Sequence, residues 1–250
     1  MPQQRTKDQV RQRLLDLAAG DPVIMGAAIT GSTATGSADE WSDLDLALGV
    51  GDHELTAALE RWTRTMIDEF GAVHHWDLPA GDWVYRVFLL PDLLEVDLGF
   101  APAAHWGPLA SSWQTIFGAP LEQDPTPATV DVRTWTGHLW HHLLHTRAAI
   151  ERRRGLQAAY WIGAARELLI ESACRRFGLP VAYAKGAHRL PPESVAALEA
   201  TLVGSTAEPD LRRALAALTD VAAEELALAD PAAAGPLRPV LEQLRGPVEP

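Results

Sequence analysis

Residues 30–48 read TGSTATGSADEWSDLDLAL: a Gly-Ser pair, a polar loop, and two aspartates one residue apart that open an apolar strand. Successive strand side chains alternate between faces, so Asp43 and Asp45 point to one side of a sheet while Leu44, Leu46 and Leu48 point to the other. Burial of the leucines then holds two carboxylates together on the opposite face. Hard divalent cations such as Mg²⁺ take oxygen ligands and keep several waters, with one or two carboxylates and substrate phosphates completing the octahedron. An Asp-Leu-Asp pair suits that chemistry. Upstream, residues 23–30 (VIMGAAIT) read as a buried strand running into Gly31-Ser32, where a missing side chain lets backbone N–H groups approach an anion and the hydroxyl adds a donor.

A third acid lies downstream in LLEVDLGF, residues 93–100. Alternation sends Glu95, Asp97 and Gly99 to the face shared with Asp43 and Asp45, and Leu94, Val96, Leu98 and Phe100 to the core. Gly31-Ser32, the loop, Ser42-Asp43-Leu44-Asp45-Leu46 and then Asp97 in a later strand resemble the signature of the DNA polymerase β-type nucleotidyltransferase superfamily. The size and the helical second half are most similar to its antibiotic-modifying branch, the aminoglycoside and lincosamide nucleotidyltransferases. The motif match spans residues 23–101 and is architectural beyond them. It has one departure: many relatives carry an Arg just before the second Gly of the loop, where this chain has Thr35. A cation for the triphosphate must then come from elsewhere. Tyr183-Ala184-Lys185-Gly186, followed by Leu190-Pro191, resembles the helical-domain segment in which those enzymes place a lysine on the donor's phosphates, and Lys185 is one of two lysines in the chain.

The resemblance implies an α+β protein: an N-terminal nucleotidyltransferase domain, a mixed β-sheet with helices on one face, followed by a C-terminal all-α helical bundle. It implies an adenylyltransferase-type reaction that moves a nucleoside monophosphate, AMP from Mg-ATP or its counterpart from another NTP, onto a hydroxyl of a small acceptor such as an aminoglycoside or lincosamide, releasing pyrophosphate. That would be an antibiotic-resistance activity. The expected roles are metal binding (two Mg²⁺) by Asp43, Asp45 and Asp97, and donor binding by Gly31, Ser32, Ser42 and Lys185. Asp97 is expected to activate the acceptor hydroxyl while also touching metal, with Glu95 as its support nearer the rim; either acid is a candidate for the base. The bland alternatives are an Asx turn for the aspartates and a solvated edge residue for Asp97. They account for one acid easily and for three badly, because gathered like charges repel unless a cation neutralises them.

At 250 residues the chain can bury a core in one large domain or two small ones. A formal net charge of −12 argues against a nucleic-acid binder, whose affinity comes from Lys and Arg on phosphates; it fits a cationic acceptor and equally well a surface kept acidic for solubility. It also argues against nucleotidylation of a protein side chain or an RNA end, which would need a basic groove. A non-catalytic nucleotide-sensing or antitoxin-like module has no need of a complete acidic triad. The first twenty residues lack a signal peptide's apolar run and no later stretch is long and uncharged enough to span a bilayer, so the expected location is cytoplasmic, as monomer or homodimer. One cysteine, Cys174, excludes an internal disulfide and reads as a packed side chain.

The rest of the chain frames the motif. Residues 9–19 form an amphipathic helix; residues 52–70 form another with Asp52 as N-cap and Leu55, Leu59, Trp62 and Met66 as its buried stripe. Residues 72–78 and 83–90 are β-rich, giving the order α-β-β-α-β-β-β, which leaves the acidic face bare unless another domain closes it. Residues 118–131, with three prolines, suggest a linker; the expected domains are 1–120 and 121–250, the second closing the active-site cleft. Helices are expected over 132–153, 156–177, 192–203, 209–228 and 232–244. His138, His141, His142 and His145 fall along one helix; without an HExxH pattern they read as polar lining, one of them free to stack on or hydrogen-bond a ligand. The nine tryptophans read mostly as core, with Trp76, Trp106 or Trp161 a candidate to stack on a base or sugar.

Overall fold

The structure is a computed structural model that describes residues 5–109, 112–122 and 131–246. It is α+β, with a mixed six-stranded sheet and a C-terminal helical region. The chain divides into two compact units, Met1–Pro127 and Ala128–Pro250. Of the proline-rich stretch that suggested a linker, residues 123–130 lie outside the described residues.

In the first unit, α1 (Lys7–Gly20) starts on a capping box: Thr6 Oγ1 accepts from the Gln9 backbone N–H and Gln9 Oε1 accepts from the Thr6 N–H. The chain continues through β1 (Ile24–Thr30), the one-turn α2 (Gly31–Ala34), β2 (Leu44–Val50), α3 (Leu55–Phe70), β3 (His74–Ala80), β4 (Trp83–Leu89), β5 (Glu95–Pro102) and β6 (Trp113–Phe117). The strands lie in the order β3-β4-β5-β2-β1-β6, with β2 and β5 parallel and every other pair antiparallel. Leu44, Leu46, Leu48 and Val50 of β2 and Val96, Leu98 and Phe100 of β5 share one core with Val10, Leu14 and Leu15 of α1 and Ala58, Trp62 and Met66 of α3. Each such large side chain contributes roughly 1.5–3 kcal/mol on burial, enough together to fix which face of β2 and β5 turns inward.

The opposite face has its own cover, which corrects the expectation that it stays bare without a second domain. Ala28, Ala47 and Ala101 form a cluster there with Trp83 and Trp106, against which Tyr85 and Trp113 pack. Trp106 is 2% exposed and donates from its indole N–H to the Ala47 carbonyl at 3.3 Å, so it is a core residue of this face and not a free stacking platform. Small residues make the room: a Cβ on Gly49 would lie 2.8 Å from Trp106 Cγ, and one on Gly99 2.9 Å from Tyr85 Cε1. This aromatic cover begins at Ala47 and Gly99; the carboxylates precede it on both strands.

Other differences from the sequence expectation are local. The turn α2 and the edge strand β6 were not anticipated; β6 has three exposed residues out of five and so lacks an alternating signature. Helix α3 begins at Leu55 with Glu54 at the N-cap and no side-chain cap bond, because His53 takes a left-handed φ of 67° and turns the chain after Asp52. In the second unit the five expected helices are α4 (Val132–Glu151), α5 (Gly155–Arg176), α6 (Pro192–Glu199), α7 (Glu208–Ala229) and α8 (Pro231–Arg245). Their core joins Leu139 and Leu143 to Ile162, Leu169, Leu215 and Leu218, with Cys174 fully buried within it. Among the described residues no helix is long and apolar enough to cross a membrane.

Candidate active site

The parallel pairing of β2 with β5 sets Asp45 beside Asp97 in the ladder, one rung after Leu44 beside Val96. Both acids therefore project from the face opposite the core. Asp43, at the entry to β2, joins Glu95 and Asp97: one carboxylate oxygen from each lies within 4.8 Å of the others. Asp43 and Asp97 are half-buried and Glu95 is exposed. Three hard oxygen donors at that spacing form a concentrated negative charge that a divalent cation of the Mg²⁺ type neutralises, so the donor set fits such an ion.

Asp45 stands outside that trio. Its carboxylate lies against Gly31, where a Cβ would overlap Asp45 Oδ2. Gly31 also has a left-handed φ of 63°, so both the turn and the close approach require glycine here. Ser32 follows at the start of α2, its hydroxyl buried without a hydrogen-bond partner among the described residues. A buried unpartnered hydroxyl is a cost that a bound anion or water would relieve. Thr35, where the resemblance led to an expected Arg, donates to the Ser32 carbonyl at 3.0 Å and contacts the Ser37 hydroxyl at 2.8 Å, while the Ser37 N–H also donates to Ser32 at 3.0 Å. Thr35 thus ties the turn after α2 back onto Ser32.

The Ser42 hydroxyl is engaged within its own loop: it donates to Asp39 Oδ1 at 2.9 Å and accepts from the Asp39 N–H at 2.9 Å. That bond, with the Trp41 N–H as a further donor, holds the Asp39 carboxyl below its ordinary pKa. Tyr85 was missed by sequence reading. It faces Gly99 across β4–β5, stacks on Trp83 at 5.8 Å, and has its phenol pKa raised by burial and then by the negative charges of Asp45 and Asp97. The signal was present as a glycine in a core strand, which calls for a large neighbour.

In the second unit Lys185 is exposed, just after Tyr183 and Ala184, which take left-handed φ values of 54° and 57°. It belongs to a different unit from the carboxylate trio. The four histidines of α4 stack on one another and on Trp161 of α5: His138 on His142 at 6.0 Å, His141 on His145 at 4.2 Å, and His142 and His145 on the indole at 5.2 and 4.9 Å. They serve as an aromatic interface between two helices. Burial, then His141 and His138, push the His142 pKa below its ordinary value. Because the folded state binds this proton less readily than the unfolded chain, the contribution is fully present above the unfolded pKa of about 6.5 and is lost as pH falls through the lower folded value. The thermal midpoint is expected to fall on acidification from about pH 7 to 5, and His142→Gln to flatten that slope; an unchanged slope removes His142 from its cause.

No protein-family model matches the sequence, and no curated protein matches it. Among solved structures, the chain is similar to an aminoglycoside 6-adenyltransferase from Bacillus subtilis, at 14% identity and a TM-score of 0.41 over 96% of this chain and 98% of that one. It is also similar to a nucleotidyltransferase-like protein from Exiguobacterium sibiricum 255-15, at 14% identity and a TM-score of 0.43 over 92% of this chain and 79% of that one.

Proposed function

We propose that this protein is a metal-dependent nucleotidyltransferase that moves a nucleoside monophosphate, AMP from ATP in the leading case, onto a hydroxyl of a small acceptor. The observation that carries the reading is the convergence of Asp43, Glu95 and Asp97 within 4.8 Å, with Asp97 paired to the Asp45 that lies against a Gly-Ser turn whose serine hydroxyl is buried and has no partner among the described residues. Asp43 and Asp97 would hold divalent metal, and Asp45, paired with Asp97 in the β2–β5 ladder and on the same face, completes the set. When bound, Mg²⁺ held by these carboxylates would supply positive charge that offsets the negative charge developing on the transferring phosphoryl group. Gly31 admits the donor's phosphates to the backbone, and Ser32 donates its hydroxyl to them.

The acceptor's oxygen forms a bond to the α-phosphorus as the bond to pyrophosphate breaks, and its proton passes to a carboxylate of β5, for which we assign Asp97 with Glu95 beside it. Catalysis consists of positioning and electrostatics. The excess of acidic residues, with a formal net charge of −12, favours a cationic acceptor such as an aminoglycoside. The chain is read as two domains, and Lys185 of the helical one is assigned to the donor's phosphates. Pyrophosphate release, measured with Mg²⁺ and each NTP against a panel of hydroxylated antibiotics, tests the whole reading. Release that needs both the metal and one acceptor class supports it; no acceptor-dependent release with any pair overturns it.

The lysine has its own measurement. Lys185→Ala is expected to raise the KM for the NTP by roughly ten- to a hundredfold, the loss of a charge-assisted phosphate contact, with a smaller change in the acceptor KM. An unchanged nucleotide KM returns Lys185 to the solvated surface.

A further inference from the structure

Helix α1 carries a cation where the helix itself disfavours one. Lys7 is the first residue of α1, and the positive end of the helix dipole repels an ammonium there. Its position is explained by what it grips: Lys7 Nζ donates to the carbonyl of Asp39 and, at 3.1 Å, to the carbonyl of Ser42. The second of these belongs to the peptide bond that leads into Asp43. The lysine's own base is rigid, because the Thr6–Gln9 capping box fixes the start of α1 and Val10, Leu14, Leu15 and Ala18 bury its inner face. On the other side, the Asp39 carboxylate accepts from the Trp41 N–H at 3.0 Å and from the Ser42 hydroxyl at 2.9 Å, so residues 39–42 are a knot with an ammonium beneath it.

We infer that Lys7 is a positioning residue for the metal site: it fixes the 39–42 loop so that Asp43 meets Glu95 and Asp97. The inference rests on the metal reading of that trio. Without the clamp the carboxylate of Asp43 is carried on a loop end facing two like charges, and repulsion from Glu95 and Asp97 moves it away. A partner that acts behind a ligand in this way typically changes metal affinity or activity by about 10–100-fold when removed.

The test is Mn²⁺ binding to the whole chain, followed by electron paramagnetic resonance, with no turnover needed. Wild type is expected to bind, Asp43→Asn to lose binding, and Lys7→Met to weaken it by at least about tenfold. Lys7→Arg, which keeps the charge and the donors, is expected to bind within about threefold of wild type, and Asp39→Ala, which loosens the same knot from the other side, to reproduce the defect. A lysine that merely stabilises α1 would lower the thermal midpoint in Lys7→Met and leave Mn²⁺ affinity of the folded protein unchanged. That outcome, or normal binding by Asp39→Ala should Lys7→Met not fold, overturns the inference while the metal site stands. Wild type that binds no Mn²⁺, with or without ATP, overturns the metal reading itself and this inference with it.

Discussion

Asp43→Asn and Asp45→Asn are each expected to abolish detectable nucleotidyl transfer while the protein keeps its fold. The substitution is nearly isosteric, and both side chains sit on the face opposite the leucine core, so the packing of β2 against α1 and α3 is untouched. What is lost is one negative charge from the acidic group proposed to hold a cation. The stabilisation that a metal gives to developing phosphoryl charge amounts to several kcal/mol, on the order of a thousandfold in rate or more. For Asp43 the loss falls on the trio it forms with Glu95 and Asp97. For Asp45 it falls on the carboxylate that Gly31 admits to the phosphate turn. Mg²⁺-dependent nucleotide binding, followed by calorimetry, should disappear along with turnover. Either variant turning over at the wild-type rate, with an intact melting transition, would remove that aspartate from the metal site.

A paired substitution on β5 separates the base from its neighbour. Asp97→Asn is expected to lower kcat by at least about a hundredfold, the lower range for a lost general base, while nucleotide binding largely persists; Glu95→Gln is expected to cost less. The geometry behind this ordering is burial. Asp97 is half-buried, directly beside Asp45 in the parallel ladder and two residues from Gly99, whereas Glu95 is exposed at the entry of the strand. A carboxylate close to bound metal has its pKa lowered, which favours ligation, so the acceptor hydroxyl must also come within hydrogen-bond reach for Asp97 to take its proton. The reverse ordering of the two losses would assign the base to Glu95. Two equal, small losses would exclude β5 as its source.

Much of this site is legible in the chain because a strand has a period of two. The runs DLDL and EVDLG state which residues face the core and which face away, and no tertiary information is needed to put Asp43, Asp45, Glu95, Asp97 and Gly99 on one side. The helices of the second unit are legible for a similar reason: helix-forming Ala, Leu, Arg and Glu dominate the stretches between turn signals, although Gly and Pro also fall inside α4, α5 and α8. Strand β6 was not legible. Its five residues are half exposed and carry no alternation, and it exists because β1 offers an open edge for it to pair with. Trp106 could not be told from a stacking ring by sequence, because nothing local reveals that Gly49 leaves a hollow for it on that face of the sheet.

The sequence by itself determined the faces of the strands, the helices of the second unit and the set of acids available. Tertiary structure decided which acids meet: the β2–β5 register aligns Asp45 with Asp97, and side-chain placement then gathers Asp43, Glu95 and Asp97 while Asp45 rests against Gly31. It also decided the part played by Lys7, whose ammonium reaches carbonyls at Asp39 and Ser42, more than thirty residues along the chain. Local periodicity sets the direction in which a side chain points, but the distance between two side chains on separate elements is set by how those elements pack, and that depends on the whole core.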